Sequence, residues 1–458
     1  MKKVAIIGAG ASGASLAWLL SSYNKEDLSV TVFDSKSEAG GCINSIRQAG
    51  YLAESGPNGI LASRRQAVEL FDKARLTDVE YSGDLTTRRY IQMDGTLHLA
   101  PLGPLSALTT PLLSFGAKIR LLKEPFVKSK PDDKDESVWD FAARRVGNEA
   151  ADNLVATMVR GIYAGDASKL SIKSAFPKLC ALESSYGSIV KGMLKKGKEA
   201  KNASEKRVRG KNSSKLISSS GGMQGLVKAL AENAEGVNFL YDTPVSSIKR
   251  DGDFYLVDTD KGEGRFDAVA LCCNAHDAAI LVKGLDEELH AAYSKVKFAP
   301  VFMSAMGFSR SDIVHKLDGF GYLVMPKDKG MVLGCLFSST LFENRAPENK
   351  ALLTTICVGD MNRDYLKYDD KILEEKSFNQ IEAVLGLKSS PDIIISSRSE
   401  RAIPQYYVGH EKIAKVIVDF ENHNSGFFSA GNTIGGISVS DCISTSINTA
   451  EKIISLLY

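Results

Sequence analysis

The chain has 458 residues, of which 44% are hydrophobic and 24% charged, a composition typical of folded globular proteins and unlike that of disordered chains. Lysine and arginine number 57 against 55 aspartates and glutamates, and this formal charge of +2 argues against a dedicated nucleic-acid binder. Seven cysteines without a C-x-x-C pair exclude a disulfide framework and disfavour structural zinc. These features predict a reduced, intracellular protein of about three domains.

Residues 1–34 carry a strand–turn–helix–strand pattern. Residues 4–7 are apolar and predict a buried strand, whereas 29–33 are rich in the β-branched side chains typical of a second strand. A glycine-rich turn and a predicted helix over 13–22 separate the two strands. No apolar run approaches the roughly 18 residues needed to cross a bilayer, so we expect neither a membrane span nor a secretory leader.

The glycine-rich turn has the spacing of a dinucleotide-binding loop. Its residues are Gly8-Ala9-Gly10-Ala11-Ser12-Gly13, a G-x-G-x-x-G between a strand and a helix. The first glycine permits the turn, the second lets a pyrophosphate approach the backbone, and the third lets the helix pack close to the sheet. Asp34 follows Gly13 by 21 positions, where a carboxylate accepts from a ribose hydroxyl. A tight turn in an empty α/β domain is the structural alternative.

The rest of the chain divides into a helical section, strand-rich sections and a closing helix. Residues 101–215 show helical patterns, and 236–275 is rich in strands. Further strands are predicted over residues 297–310, 320–326, 331–338, 352–359 and 426–430. A helix is predicted from about 440 to 457, with Ser440 as its N-cap and Asp441 in its first turn.

The residues after Asp34 favour FAD over NAD. Asp34 and Ser35 are followed closely by the pair Gly40-Gly41, which resembles the extended fingerprint of the glutathione-reductase-like flavoproteins. Those enzymes also contact the adenine end through a backbone group in a later strand, and Val245 is the matching position. The last helix would place its N-terminus where it stabilises negative charge on a reduced flavin ring, although an ordinary capped helix explains the same pattern.

Four longer runs carry a more specific pattern. They are Glu54-Ser55-Gly56-Pro57-Asn58, Arg160-Gly161-Ile162-Tyr163-Ala164-Gly165-Asp166, Ala402-Ile403-Pro404-Gln405-Tyr406 and Ala430-Gly431-Asn432. These runs resemble the oxygen-dependent protoporphyrinogen oxidases, within the amine-oxidase-like flavoproteins. The resemblance implies that FAD is also held by Gly56, Pro57, Asn58, Gly431, Asn432, Ser438, Val439 and Ser440. Cys42 stands where the wider superfamily has Arg or Lys, so the resemblance supports no cofactor contact from this side chain.

The resemblance also implies a fold and a division of the chain. We predict an α/β protein in which a discontinuous Rossmann-like FAD-binding domain carries an α+β substrate domain and a helical insert. The predicted FAD-binding domain comprises residues 1–84, 216–284 and 402–458, the substrate domain 85–100 and 285–401, and the insert 101–215.

The substrate residues follow from the resemblance and not from the spacing. Arg89 matches an arginine that pairs with a propionate, although an arginine in a loop is more often simply solvated. Leu323 and Leu336 match two leucines that sandwich a pyrrole ring, and Gly161 a glycine whose carbonyl faces the macrocycle. Ile356 stands where some relatives have an aromatic residue, so aliphatic contact replaces stacking.

The implied reaction is the oxidation of protoporphyrinogen IX to protoporphyrin IX in haem biosynthesis. Six hydrogens leave in three two-electron rounds, with dioxygen as acceptor and hydrogen peroxide as product, and the cofactor supplies the chemistry. The six histidines are scattered, and we find no Ser-His-Asp set or paired carboxylate motif. The sequence therefore predicts neither a nucleophilic mechanism nor a metal site.

Localisation and partners are predicted from charge and from the resemblance. Residues 191–215 are strongly basic and 104–123 are apolar with interspersed basic residues, which together resemble a surface that docks on anionic lipid. A solvated basic loop is the alternative. We expect a cytoplasmic protein, peripheral on the cytoplasmic face of the inner membrane, and no nucleic-acid partner. The resemblance leaves room for a homodimer and for hand-off of the product to ferrochelatase.

Three alternative functions stay open at this point. The nearest is oxidation of coproporphyrinogen III, which carries four propionates, to coproporphyrin III. An amine oxidase or carotenoid desaturase would use the same fold. A non-enzymatic binder like the Rab escort and dissociation-inhibitor proteins would keep the glycine motif without flavin, but residues 430–443 argue against this because they would hold the flavin ring.

Overall fold

The structure is a computed structural model that describes residues 1–23, 26–130, 134–202 and 215–458. The described strands are β1 (Lys2–Ile7), β2 (Leu28–Phe33), β3 (Ser45–Gln48), β4 (Tyr51–Glu54), β5 (Ile60–Leu61), β6 (Glu80–Tyr81), β7 (Tyr90–Met93), β8 (Thr96–Leu99), β9 (Leu216–Ser218), β10 (Asn238–Leu240), β11 (Val245–Asp251), β12 (Phe254–Thr259), β13 (Gly262–Phe266), β14 (Ala268–Leu271), β15 (Lys297–Ser309), β16 (Gly321–Val324), β17 (Val332–Leu336), β18 (Lys350–Val358), β19 (Ile393–Gln405) and β20 (Phe427–Ser429).

The described helices are α1 (Ala11–Ser22), α2 (Arg65–Lys73), α3 (Pro104–Thr109), α4 (Phe115–Leu122), α5 (Val138–Val146), α6 (Asn148–Ala150), α7 (Thr157–Tyr163), α8 (Ile172–Ala175), α9 (Pro177–Tyr186), α10 (Ile189–Asn202), α11 (Met223–Glu232), α12 (Ala275–Leu281), α13 (Glu287–Ser294), α14 (Ser338–Leu341), α15 (Asp370–Leu385), α16 (His410–His423) and α17 (Val439–Leu457). A π-helical turn, Ala151–Ala156, joins α6 to α7.

A five-stranded parallel sheet forms the first core. Its order is β10-β2-β1-β14-β20, so it joins strands from both ends of the chain. Val4 and Ile6 pack on the side of α1, α11 and α17, whereas Ala5 and Ile7 pack on the side of α12, α13 and α16. A sheet covered on both faces explains why β1 is a continuous apolar run. The predicted α/β fold with a parallel sheet assembled from distant segments is confirmed.

A seven-stranded mixed sheet forms the second core, in the order β19-β15-β18-β17-β16-β7-β8. One face is covered by α15, whose Leu373, Ile381 and Leu385 pack against buried side chains such as Phe302 and Tyr322. The only parallel pair among the described strands of this sheet is β16 with β7. The sheet therefore has one sealed face and one face that carries partly exposed side chains.

The helices α3 to α10 make up the helical section that the sequence predicts. A buried ion pair organises it, because the Arg145 Nε donates to Glu124 Oε1 at 2.8 Å and both side chains are fully buried. The same carboxylate accepts from the Ile189 N–H at 3.0 Å, at the start of α10. Removing either partner would leave a buried charge, which strongly destabilises a fold.

The predicted strands of the second half correspond to β15, β16, β17, β18 and β20, with shifts of a few residues at their ends. The division into three domains stays a prediction. The strand β19 runs across the boundary that we expected between residues 401 and 402.

Candidate active site

The turn that joins β1 to α1 needs glycine at two positions. Gly8 has φ = +106°, a conformation that other residues rarely adopt, and its N–H donates to the Phe33 carbonyl at 2.7 Å. A Cβ on Gly13 would lie 1.7 Å from the Gly8 carbonyl oxygen. α1 begins at Ala11, and no described side chain caps its first N–H groups. Such a helix N-terminus stabilises a bound phosphate.

Asp34 follows β2 with its carboxylate fixed by backbone groups. The Ala9 N–H donates to Oδ2 at 2.6 Å and the Lys36 N–H to Oδ1 at 2.8 Å. A carboxylate has about four acceptor sites, so each oxygen can still accept from a ribose hydroxyl. Ser35 follows Asp34 and is exposed. The Thr243 N–H donates to the Asp34 carbonyl at 2.9 Å, which brings Val245, the first residue of β11, near this loop.

The second glycine pair packs directly against the first turn. The Gly40 N–H donates to the Ala9 carbonyl at 3.0 Å, and a Cβ on Gly41 would lie 3.0 Å from the Gly10 Cα. The next predicted segment adjoins it, because a Cβ on Gly56 would lie 2.6 Å from the Cys42 carbonyl oxygen. Pro57 and Asn58 follow in this segment, and the Asn58 amide donates back to the Gly56 carbonyl at 3.1 Å.

The segment after β20 meets the glycine-rich turn. Gly431 has φ = +118°, and a Cβ there would lie 3.4 Å from the Ser12 hydroxyl oxygen. The Ser446 hydroxyl of α17 donates to the Ser12 carbonyl at 2.9 Å. Tertiary packing thus brings together two predicted cofactor segments that lie more than 400 positions apart in the sequence.

The cap of α17 differs from the prediction. Ser440 is not the N-cap: the helix begins at Val439, and the Ser438 hydroxyl accepts from the Asp441 N–H at 3.1 Å. The Asp441 carboxylate in turn accepts from the Ser438 N–H at 3.3 Å, which completes a capping box. Ser440 is buried in the first turn. The sequence did not separate the two serines because both lie within the range of uncertainty of a helix start.

Tyr406 and His410 hold the segment 432–436, a role that the sequence analysis missed. The Tyr406 hydroxyl donates to the Asn432 carbonyl at 2.7 Å and accepts from the Gly436 N–H at 3.2 Å. The His410 ring stacks on Tyr406 at 4.1 Å, and its Nε2 lies 2.9 Å from the Thr433 carbonyl. Burial lowers the pKa of His410, so the neutral ring donates through Nε2–H. The tyrosine lies in a matched run, but no pattern marks a lone histidine.

These residues fit FAD. The uncapped start of α1 suits a pyrophosphate, the Asp34 carboxylate suits a ribose, and Gly41 and Gly431 keep the backbone clear of side chains on either side of the turn. The individual cofactor contacts stay predictions.

Leu323, Leu336 and Ile356 share the open face of the seven-stranded sheet. Leu323 is paired with Gly334, which is paired with Ile356, so these positions form one row across β16, β17 and β18. Leu336 lies two residues beyond Gly334 and points to the same face. All three leucine and isoleucine side chains are partly exposed. They form an aliphatic surface, hereafter the leucine face.

Helix α7 lies against the leucine face. A Cβ on Gly161 would be 2.5 Å from Leu323 Cδ2, so glycine lets the helix approach this closely. Met158 and Ile162, four residues apart on α7, are 36% and 45% exposed. The sequence analysis did not single them out, because apolar residues in a helix are ordinarily buried.

The structure distinguishes the two neighbouring arginines that precede β7. Arg88 pairs with Asp318, which also accepts from the Tyr90 hydroxyl at 2.9 Å. Arg89 pairs with no carboxylate among the described residues, and its guanidinium carbon lies 4.6 Å from the centre of the Phe320 ring. Phe320 and Leu336 pack against the same small buried cluster, so Arg89 adjoins one edge of the leucine face. Arg89 is solvent-exposed like Arg88, and the partial desolvation that lowers its pKa leaves it cationic.

Comparison with known proteins gives consistent relatives. The family profile described as flavin-containing amine oxidoreductase matches residues 11–454. A mitochondrial protoporphyrinogen oxidase of Nicotiana tabacum is 31% identical, over 100% of this chain and 95% of its own. A coproporphyrinogen III oxidase of Bacillus subtilis is 25% identical, over 96% of each chain. A solved structure from Exiguobacterium, provisionally named protoporphyrinogen oxidase, is similar with a TM-score of 0.82 at 22% identity, over 99% of this chain and 98% of that one.

The profile and the tobacco relative both match nearly the whole chain, which includes both sheets and the helical section. The protein is accordingly an oxidoreductase whose cofactor is FAD. The chain belongs to the flavin-containing amine oxidoreductase family.

Proposed function

We propose that the chain oxidises protoporphyrinogen IX to protoporphyrin IX in haem biosynthesis, with dioxygen as the electron acceptor. Relatives that carry the names protoporphyrinogen oxidase and coproporphyrinogen III oxidase support a porphyrinogen as the substrate.

The reaction balances over three rounds. Six hydrogens are removed when a porphyrinogen becomes a porphyrin. When bound, FAD supplies the redox chemistry by accepting a hydride from the macrocycle in each round and passing its two electrons to dioxygen. Three rounds therefore consume three dioxygen molecules and release three of hydrogen peroxide. The residues of the chain position the macrocycle and hold its carboxylates.

The observation that carries the proposal is an open aliphatic face next to an arginine cation. Leu323, Leu336 and Ile356 are partly exposed on that face, where a large apolar macrocycle would bury them. Arg89, which has no carboxylate partner among the described residues, lies at its edge beside Phe320. A guanidinium can hold a propionate through two parallel N–H bonds.

A fluorescence assay on the purified holoenzyme tests this proposal. Protoporphyrinogen and coproporphyrinogen are supplied separately in air, and porphyrin fluorescence and peroxide are measured. We expect both signals with protoporphyrinogen, at a higher kcat/KM than with coproporphyrinogen. A preference for coproporphyrinogen would favour the alternative of its oxidation to coproporphyrin III, and absence of porphyrin from both substrates would contradict the proposal.

We also propose that helix α4 docks on an anionic membrane surface at the cytoplasmic face of the inner membrane. Phe115, Ile119 and Leu122 recur at helical spacing and are 79%, 40% and 58% exposed. Ala117 on the opposite side is buried. An outward apolar stripe of this kind is typical of helices that lie in a lipid interface.

A cationic side chain lies beside Phe126, which follows the end of α4 by four residues. Phe126, which is 85% exposed, has the Lys191 ammonium 5.9 Å from its ring centre. A lysine at this position would contact anionic headgroups while the apolar stripe of α4 enters the acyl boundary. Residues 203–214 of the predicted basic segment lie outside the described residues. None of the described helices is long and apolar enough to span a bilayer.

Two further partners stay predictions that rest on the resemblance alone. They are a second copy of the chain in a homodimer, and ferrochelatase as the acceptor of the product.

A further inference from the structure

A buried ion pair joins a predicted cofactor segment to the sheet that carries the leucine face. The Arg345 Nη2 lies 3.3 Å from the Glu54 Oε1, and both side chains are 2% exposed. Glu54 ends β4, shortly before the predicted FAD segment that contains Gly56. Arg345 lies in the connection between β17 and β18 of the seven-stranded sheet. The two residues are 291 positions apart, so the pair connects distant parts of the chain.

Several further contacts hold the guanidinium of Arg345. Its Nη2 donates to the Ser218 hydroxyl at 2.6 Å, and its Nη1 donates to the Ser219 carbonyl at 3.4 Å. Nη1 also donates to the Asn344 side-chain oxygen at 2.5 Å. The guanidinium carbon lies 4.8 Å from the centre of the Phe342 ring. A planar fork with this many partners is held in one orientation.

On the Arg345 side, the pair reaches the leucine face. Phe342 belongs to the small buried cluster against which Phe320 and Leu336 pack. Leu336 ends β17, and the chain runs from it through α14 directly to Arg345. Holding Arg345 in place therefore restrains the edge of the leucine face where Arg89 lies over Phe320.

On the Glu54 side, the pair reaches the glycine-rich loops. Glu54 Oε1 accepts from the Met223 N–H at 2.9 Å, at the start of α11, whose N-cap is a glycine that makes no side-chain cap. Glu54 Oε2 accepts from the Ser45 hydroxyl at 2.6 Å. The Gln224 N–H donates to that hydroxyl at 3.1 Å, and the Gln224 amide donates to the Ala39 carbonyl at 3.2 Å. Glu54 is thus joined to the loop of the second glycine pair, which packs on the dinucleotide turn.

Burial makes both sides depend on the pair. Desolvation raises the pKa of the Glu54 carboxyl, and the donors around it, among them Arg345, oppose that rise. Removing the guanidinium would leave the carboxylate buried without its cation, so the segments on the two sides would lose their common support.

We propose that Glu54 and Arg345 are a positioning pair that sets the distance between the macrocycle on the leucine face and the flavin. The pair would act through the segments that it joins, one on the substrate side and one on the cofactor side. The inference rests on the proposed function and deepens it. Hydride transfer needs the reacting atoms about 3–3.5 Å apart, and an error of about 1 Å can cost roughly a hundredfold in rate.

Anaerobic stopped-flow reduction of the holoenzyme by protoporphyrinogen tests this inference, because flavin absorbance reports the hydride transfer without reoxidation. We expect Arg345→Gln to lower the limiting rate of reduction, per bound flavin, roughly tenfold or more. The Kd of protoporphyrinogen, obtained from the concentration dependence of that rate, should stay nearly unchanged because the leucine face and Arg89 remain. Reoxidation of dithionite-reduced flavin by dioxygen should also be unchanged, since it does not involve the macrocycle. Arg345→Lys should restore part of the rate, because it keeps the charge without the fork.

Glu124→Gln is the matched control. It neutralises the carboxylate of the Arg145–Glu124 pair, whose side chains are 0% exposed and lie in the helical section. This variant should lose stability in urea unfolding, but the rate of flavin reduction per bound flavin should equal that of the wild type.

The outcomes separate the two proposals. If Arg345→Gln binds flavin that is reduced at the wild-type rate, the positioning pair is wrong and the proposed function stands. Equal slowing in Glu124→Gln would also overturn the pair, since the loss would then follow from destabilisation in general. If no porphyrinogen reduces the wild-type flavin, the proposed function fails, and with it this inference. Should Arg345→Gln fail to fold, the isosteric Glu54→Gln takes its place: slower reduction supports the pair, and an unchanged rate overturns it.

Discussion

Arg88 and Arg89 are adjacent in sequence but differ in their surroundings, and this difference makes a test of the propionate site. Arg89→Ala should lower kcat/KM for protoporphyrinogen by roughly tenfold to a hundredfold, since a partly desolvated carboxylate loses its charged partner. The loss should appear mainly in KM, because the propionate is held equally before and during hydride transfer. Steady-state kinetics at unchanged flavin content measures this.

Arg88→Ala is the control for that experiment. Arg88 pairs with Asp318 at an exposed position, so its loss should leave KM nearly unchanged. If Arg88→Ala raises KM and Arg89→Ala does not, the cation that binds the substrate has been misassigned. Arg89→Lys should restore only part of the loss, because an ammonium lacks the two-pronged geometry.

Substitutions of two glycines in the first turn should impair different properties, flavin binding in one variant and the stability of the fold in the other. Gly10 has an ordinary φ of −72°, and a Cβ there would be 3.7 Å from its nearest neighbour, so Gly10→Val should fold while its side chain occupies the place of the pyrophosphate. Gly13→Ala would place a methyl 1.7 Å from the Gly8 carbonyl and should destabilise the fold itself. Flavin absorbance and circular dichroism distinguish the two, and full flavin content in Gly10→Val would refute this assignment.

At the scale of elements, His410 links α16 to the segment that follows β20. Its hydrogen bond to Thr433 is buried, so His410→Gln should destabilise the fold by about 1–3 kcal/mol at pH 7. Because burial lowers the pKa of His410 in the folded state, the unfolded chain takes up a proton more readily as pH falls through its ordinary value of about 6.5. The free energy of unfolding of the wild type should therefore fall toward pH 5. The difference in this free energy between the wild type and His410→Gln should become smaller.

Urea unfolding of the wild type and of His410→Gln between pH 5 and 8 measures this difference in the free energy of unfolding. If this difference stays constant over that range, His410 has the same pKa in the folded and unfolded states, which would contradict the effect expected from its burial.

Helix α4 permits a test of membrane docking that leaves the core intact. Phe115, Ile119 and Leu122 are exposed, so replacing all three with serine should leave the fold unchanged and abolish pelleting with anionic liposomes. The wild type should pellet with anionic but not neutral liposomes, and salt should release part of it because charges are screened within about 8 Å at physiological ionic strength. Equal pelleting of the variant and the wild type would exclude α4 as the docking element.

For the whole molecule, we expect bound FAD to stabilise the fold against unfolding. The segments that fit FAD come from the first 60 residues and from about the last 30 residues of the chain. They meet only when the chain is folded. Ligand that binds only the folded state stabilises it by about 2.7 kcal/mol at 100 times its Kd. The Tm of flavin-stripped protein should therefore rise with added FAD, whereas Gly10→Val should show no such rise. An FAD-independent Tm in the wild type would contradict this.

The local patterns of the sequence are sufficient to predict the parallel sheet and the glycine-rich turn. A buried strand such as β1 is a continuous apolar run because both of its faces are covered, and Gly8 and Gly13 are required by backbone geometry within six residues. Leu323 and Ile356 were placed by resemblance, since an apolar residue in a strand carries no mark of exposure.

What the sequence by itself determined is therefore the set of properties with local causes: the elements, the dinucleotide turn and the α/β class. Only the tertiary structure decided which arginine is paired, which serine caps α17, and how His410 reaches Thr433. The Arg88–Asp318 pair spans 230 positions, and no local pattern encodes such a partner. The physical reason is that hydrogen bonds and charges act over a few ångströms in space, whatever their separation along the chain.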